Sequence, residues 1–182
     1  MTQTFKTNLF RIVSLALVFA ASNGYAQKQH TLEVGGGISY NLLGKDWGFG
    51  DGLALDGYIG VRCSCGFGAE ITSQVFSDEQ ENGTLTIKQY AINGLYHFNN
   101  QGVVRPYLGL GWGQWNADVD YKTNFLSVDR VKAGSTFGSA SVGLKIFPSR
   151  QFIIRPALKY LKSTENRDFD ITSVGVGLAY SW

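Results

Sequence analysis

From Gln27 onward, apolar side chains return at every second residue in run after run, and this period constrains the fold more than any other feature of the chain. A period of two belongs to β-strands, whose side chains point alternately to opposite faces. The first run places Leu32, Val34, Ile38 and Tyr40 opposite Thr31, Glu33, Gly35, Gly37 and Ser39. The second sets Leu53, Leu55, Ile59 and Val61 against Asp56, Tyr58, Gly60 and Arg62, and the third sets Phe67, Ala69, Ile71 and Val75 against Gly68, Glu70, Thr72 and Gln74. The fourth opens on Leu85 and Ile87 and continues in the other phase through Tyr90, Ile92, Tyr96 and Phe98, so a β-bulge is expected near Lys88-Gln89. Leu108, Leu110 and Trp112 then oppose Arg105 and Tyr107, Val142 and Leu144 oppose Lys145, and Leu158 and Tyr160 oppose Arg155 and Lys159. Val174, Val176, Leu178, Tyr180 and Trp182 form the eighth run.

One face of every run is therefore apolar, and the other mixes glycine with charges of both signs. Folded inward in a soluble sandwich or lipocalin-like barrel, the apolar faces would leave that mixed face outside. The near absence of aliphatic residues from it, and the aromatics at the strand ends, fit the inverse arrangement better: apolar face to lipid, polar face to an enclosed lumen. Backbone groups in lipid must all be paired, which strands achieve only by closing on themselves. The connectors agree. Cys63-Ser64-Cys65-Gly66, Asn99–Gly102 and Pro148–Gln151 are tight turns, whereas 41–52, 77–83, 116–134 and 163–170 read as longer polar loops. The expected fold is all-β: an eight-stranded antiparallel up-and-down transmembrane β-barrel after a cleaved signal peptide. A hairpin formed within 116–134, where "FLSV" (125–128) is apolar, would raise the count to ten.

The signal peptide is expected over 1–26. Lys6 and Arg11 precede the apolar run 12–21, and Gly24-Tyr25-Ala26 places small residues before a cut at Gln27. The run is shorter than the roughly 20 residues of a spanning helix. The barrel domain is then 27–182, with 14 basic and 14 acidic residues, because two of the 16 basic residues and none of the 14 acidic ones lie in the leader. A net charge of zero does not point to nucleic acid.

"RPYLGLGWG" (105–113) resembles a strand of the small outer-membrane β-barrel proteins of the OmpA-domain and OmpX type. The aromatic C-terminus is similar to their assembly signal, Gly-x-x-aromatic-x-aromatic, met by Gly177, Tyr180 and Trp182; Gly175 departs from the polar residue usual two places earlier. The resemblance spans the mature chain. It implies residence in the cell outer membrane as a monomer, with outer-membrane lipids and lipopolysaccharide, the barrel-assembly machinery and periplasmic chaperones as partners.

The charged inward positions are the most specific chemical feature: Glu33, Asp56, Arg62, Glu70, Arg105, Lys145, Arg155 and Lys159. Most fall toward the end bearing the tight turns, so Glu33 and Glu70 with Arg62, Arg105, Lys145 and Arg155 are expected to form one lumenal layer. Such a layer acts either as a salt-bridged plug or as the gate of a narrow pore. The glycines of "GLGWG" recur on one strand face with no helix after them, and Gly44-Lys45 is followed by Asp46, so neither is a phosphate loop. Cys63 and Cys65 form a possible disulfide in the first turn, and no metal site is expected from two thiols.

Some eight-stranded barrels modify lipid A with a His-Ser-acid set near the outer leaflet. Here His30 and His97 both fall at the opposite end, and Ser139-Ala140-Ser141-Val142-Gly143 is no nucleophile elbow. No enzymatic activity and no cofactor are expected. Asp78, Glu79 and Glu81, and Asp118 and Asp120, read as acidic loop clusters among Trp47, Phe49, Tyr121 and Phe125; they suit solvated loop tips or contact with a host surface or lipopolysaccharide. The expected role is structural or surface-interactive, the alternative an OmpW-like narrow channel or carrier for a small solute.

Overall fold

The computed structural model describes residues 30–44, 50–80, 83–98, 102–121, 130–165 and 170–182. The expected leader, the "FLSV" segment, Trp47, Phe49, Glu81 and Phe125 lie outside them. Eight strands follow in chain order: β1 (His30–Leu43), β2 (Gly52–Cys63), β3 (Phe67–Gln80), β4 (Gly83–His97), β5 (Val104–Tyr121), β6 (Arg130–Ile146), β7 (Phe152–Ser163) and β8 (Asp170–Ser181). Each pairs antiparallel with its sequence neighbour, and β1 pairs with β8, so the sheet is a closed barrel. The closing seam runs from Glu33↔Ser181 to Leu43↔Ile171. One end carries the β2–β3, β4–β5 and β6–β7 turns and is termed the turn end; the opposite end is the loop end. Gly66 closes the first turn at φ 95°, a left-handed conformation that glycine alone takes without steric cost.

The exterior follows the expected alternation. Leu53, Leu55, Leu110 and Leu178 are each about two-thirds exposed or more, with Val34, Ile38, Ile59, Ile92, Val174 and Val176 around them. Two aromatic rows bound this surface. Phe67, Tyr96 and Phe98, and Phe152, Tyr180 and Trp182, pack in tilted and edge-to-face contacts at the turn end, and Tyr40, Tyr90, Trp112 and Tyr160 lie exposed higher up. From Tyr90 to Phe98 a strand advances about 27 Å along itself. At a tilt near ~40° that gives an apolar band roughly 20 Å tall, the scale of an outer-membrane barrel.

Above the upper row the sequence reading needs correction. The expected bulge at Lys88-Gln89 is absent: β3 and β4 stay in one register through Gln74↔Gln89 and Val75↔Lys88 up to Gln80↔Gly83. Leu85 and Ile87 instead point inward and are completely buried, while Lys88 faces out. The apolar face changes sides with no slip in phase, because the wall has left the membrane. With water outside, apolar side chains are best buried inside. Within the expected loop 77–83, β3 reaches Gln80 and β4 begins at Gly83, and most of 116–134 becomes the ends of β5 and β6, paired up to Asp120↔Arg130. That pairing extends existing strands and adds none, so the described residues form eight strands. Asp78, Glu79, Asp118 and Asp120 accordingly sit on strands and not in loops.

Candidate functional site

The inward face of the barrel is filled in three tiers. At the turn end, Glu33 from β1 is a shared acceptor. Its Oε1 takes Nε of Arg62 from β2 at 3.4 Å, and its Oε2 takes Nζ of Lys145 from β6. Beside it, Glu70 of β3 receives a two-pronged bond from Arg155 of β7, Nη1 to Oε2 at 2.7 Å and Nη2 to Oε1 at 2.9 Å. A planar fork meeting a carboxylate in this way is the strongest ion-pair geometry available to side chains. The Nε of Arg155 donates to the Tyr107 hydroxyl at 2.8 Å, and its guanidinium lies 4.5 Å and 4.8 Å from the Tyr58 and Tyr107 ring centroids. Glu33, Glu70 and Lys145 are almost wholly buried. An ion pair out of water is tolerated only when both partners are present and their remaining valences are met, and here Asn93 adds a further donor to Glu70 at 3.5 Å.

The eight sequence-selected charges therefore divide. Glu33, Arg62 and Lys145 form one cluster and Glu70 with Arg155 a second. Arg105 joins neither: its Nε donates to the Gly102 carbonyl at 2.9 Å and its guanidinium stacks 4.0 Å from the Phe147 centroid at the rim. It opens β5 one residue inside a turn, too near the mouth to reach the carboxylates. Asp56 and Lys159 lie higher, lining a cavity of about 100 Å³ with Thr72, Gln74, Ser141 and Ser173. Asp56 accepts from Gln74 at 2.8 Å, while Lys159 lies 5.9 Å from the Phe137 ring centroid.

The middle tier also contains an amide chain that the sequence reading did not single out. Gln74 donates to Ser39 at 2.9 Å and pairs amide to amide with Asn41, which accepts from Ser173. Asn93 donates to Thr72 and accepts from Ser139. The signal was present, since each of these amides occupies an inward position of the period-two pattern. The glycines of "GLGWG" make room for this tier: a Cβ at Gly113 would come within 2.6 Å of Phe137 and one at Gly109 within 2.7 Å of Leu95, while Gly111 faces Asn93.

The third tier, at the loop end, is apolar. Phe76, Leu85, Ile87, Trp115, Phe137, Leu161 and Ile171 pack with Ala54, Ala91 and Ala117 into one buried cluster, against which Leu43 and Val119 lean. Gln89 is buried just below Ile87 on β4, and neither of its amide atoms has a partner among the described residues.

At the opposite end a disulfide joins Cys63 and Cys65, whose Cα atoms are 5.2 Å apart. His97 is buried against that turn: its backbone N–H donates to the Gly66 carbonyl at 2.8 Å and its Nδ1 lies 3.0 Å from the same oxygen. Ser139 bonds Asn93. Among the described residues no group of three or more His, Cys, Asp or Glu is gathered as metal ligands would be.

The family description "Outer membrane protein beta-barrel domain" matches residues 12–181. No curated protein matches the chain. Among solved structures it is similar to Neisserial surface protein A, at 12% identity and TM-score 0.62, covering 83% of this chain and 96% of that one. It is also similar to the N-terminal β-barrel domain of OprF from Pseudomonas aeruginosa, at 20% identity and TM-score 0.59, over 85% of this chain and 98% of that one. A third is Ail, the attachment invasion locus protein of Yersinia pestis, solved with the heparin analogue sucrose octasulfate, at 15% identity and TM-score 0.59, over 85% and 99%. At these identities the likeness is one of fold.

Proposed function

The chain belongs to the outer membrane protein β-barrel domain family, and from that premise we propose that it is a closed-lumen barrel whose role is structural or surface-interactive, exercised through its loop end. The turn end is assigned to the periplasm and the loop end to the cell exterior, with export directed by a cleaved leader over 1–26. The observation that carries the reading is the filling of the lumen. A paired ionic tier and an apolar cluster occupy it at two heights, with a cavity of about 100 Å³ between them. Outside, the lipid-facing belt needs no second copy to cover it, in keeping with a monomer in contact with lipid and lipopolysaccharide. Tyr180 and Trp182, at the end of the last strand, are the groups assigned to recognition by the assembly machinery, with chaperones holding the chain until then.

The loop end supports a cationic or cation-bridged partner. Its described side chains include seven acidic ones and two basic ones, Lys88 and Lys162, so the sulfated ligand seen with Ail is a poor analogue for what this surface would hold. The reading includes no catalytic role; it is in keeping with this that His97 is buried at the turn end against the Gly66 carbonyl.

A second reading, a narrow channel, draws on the polar cavity between Asp56 and Lys159. Planar-bilayer recording of the refolded mature protein separates the two. The closed barrel gives no unitary steps at 100 mM salt, and reproducible steps that persist across preparations would replace it with the channel.

A further inference from the structure

The acidic and basic groups are unevenly placed. In the turn-end half and the cavity, the described residues comprise six basic side chains and three acidic ones, the reverse of the loop end. The acids are also spent. Both oxygens of Glu70 go to Arg155, the two oxygens of Glu33 go to Arg62 and Lys145, and Asp56 lies up in the cavity with Gln74. Arg105 has no carboxylate partner among the described residues, and the sequence supplies none nearby: residues 63–66, 98–103 and 147–151, which connect β2 to β3, β4 to β5 and β6 to β7, contain no Asp or Glu. Glu33 therefore stands alone against Arg62, Lys145 and Arg105.

Arg62 and Arg105 share one geometry. Each is tethered through Nε, to Glu33 and to the Gly102 carbonyl respectively. Both guanidiniums lie over the same ring, that of Phe147, at 5.8 Å and 4.0 Å from its centroid. Their terminal nitrogens have no hydrogen-bond partner among the described residues, and none of these atoms is among the buried polar atoms left unpaired, so they open to solvent at the mouth. Two guanidiniums of like charge, both within 6 Å of one ring centroid and with terminal donors unpaired among the described residues, are an unneutralised site. Guanidinium forks match phosphate oxygens and are weakly hydrated, so little is lost in engaging them.

We propose that the turn-end mouth of the lumen is a binding site for a phosphate-type oxyanion, held between Arg62 and Arg105 and completing the charge balance that Glu33 leaves open. The anion is either a free phosphate or phosphate ester, or the phosphate of a phospholipid headgroup at the adjoining leaflet. The site does not depend on whether the barrel conducts.

The test uses the mature barrel refolded in dodecyl maltoside, a detergent without phosphate, with ¹⁵N-labelled arginine. Titration with inorganic phosphate at constant ionic strength should shift the Arg105 and Arg62 Nε–H resonances saturably, where chloride does not. Arg105→Gln should weaken the response about tenfold, the loss of one forked contact. Arg105→Lys, which keeps the charge and is the safer variant for folding, should weaken it several-fold, and Lys162→Gln at the loop end should titrate as wild type. In phosphatidylglycerol nanodiscs, resonances already shifted and insensitive to added phosphate assign the site to the headgroup; an undiminished titration assigns it to the free anion. Equal shifts with chloride, an Arg105→Gln protein that titrates as wild type, or no shift in either medium would overturn the proposal.

Discussion

The two ends of the lumen are filled by opposite chemistries on the same eight strands. At the turn end the wall lies within lipid, nearly every outward position is apolar, and the inward positions hold buried ion pairs, with Glu33 shared by Arg62 and Lys145 and Glu70 held by Arg155. At the loop end the wall stands above the aromatic row of Tyr40, Tyr90, Trp112 and Tyr160, its outward positions are polar, and the inward ones form the cluster around Phe76, Leu85 and Phe137. The contrast shows that the inside of a barrel is not polar by nature. The filling is complementary to what lies outside: lipid can take the apolar side chains below, so the lumen is left with polar ones, whereas above the membrane only the lumen can shelter them. The two fillings also fail differently. Ion pairs bind named partners across the lumen, Glu33 to Lys145 and Glu70 to Arg155, and tolerate no single loss, while an apolar cluster loses stability in proportion to the volume removed.

The largest effect should come from breaking the ionic end on one side only. Arg155→Met leaves the buried Glu70 carboxylate without its forked partner, a loss of about 3–5 kcal/mol. Urea unfolding in lipid vesicles, followed by tryptophan fluorescence, should show it, and adding Glu70→Gln should restore most of the stability. Failure of the double variant to recover would mean that the pair acts through packing and not through charge. Next comes the apolar end. Phe76→Ala opens a void in the loop-end cluster and should cost roughly 3 kcal/mol or somewhat more by the same measurement, with no rescue by any charge change at the turn end. The smallest effect, of opposite sign, is expected of Gln89→Leu. Replacing an amide that has no partner by an apolar group of similar size should leave stability unchanged or raise it by about 1 kcal/mol. A clear loss would assign Gln89 a polar partner and blur the boundary between the tiers.

Much of the lower half was legible in the sequence. Eight strands, their lipid and lumen faces, and the inward placement of Glu33, Arg62, Glu70, Lys145 and Arg155 all follow from alternation, since lipid outside and polar groups inside keep one sign along the strand. The upper half was misread for the same reason. Where the outer solvent changes from lipid to water the sign of the alternation inverts, and the inversion at Leu85 and Ile87 imitates a bulge. Strand ends were placed too early because polar residues such as Asp118 and Asp120, which suit the outer face of a wetted wall, look like loop residues when every strand is assumed to stop at the membrane. Arg105 was grouped with the other charges on its face alone. Its height, which alternation does not report, keeps it at the rim beside Phe147.

The seam between β1 and β8 has a consequence in time. Glu33 meets Ser181 and Val34 meets Tyr180, so strands at opposite ends of the chain are immediate neighbours. The neighbouring hairpins can form while the chain is still emerging, but β1 keeps a bare edge until the last strand has arrived. Such an edge is a template for pairing with the wrong chain, and contacts this distant in sequence form slowly. The barrel is thus most vulnerable to aggregation in the interval before β8 is in place, and that strand sets the earliest moment at which it can be sealed.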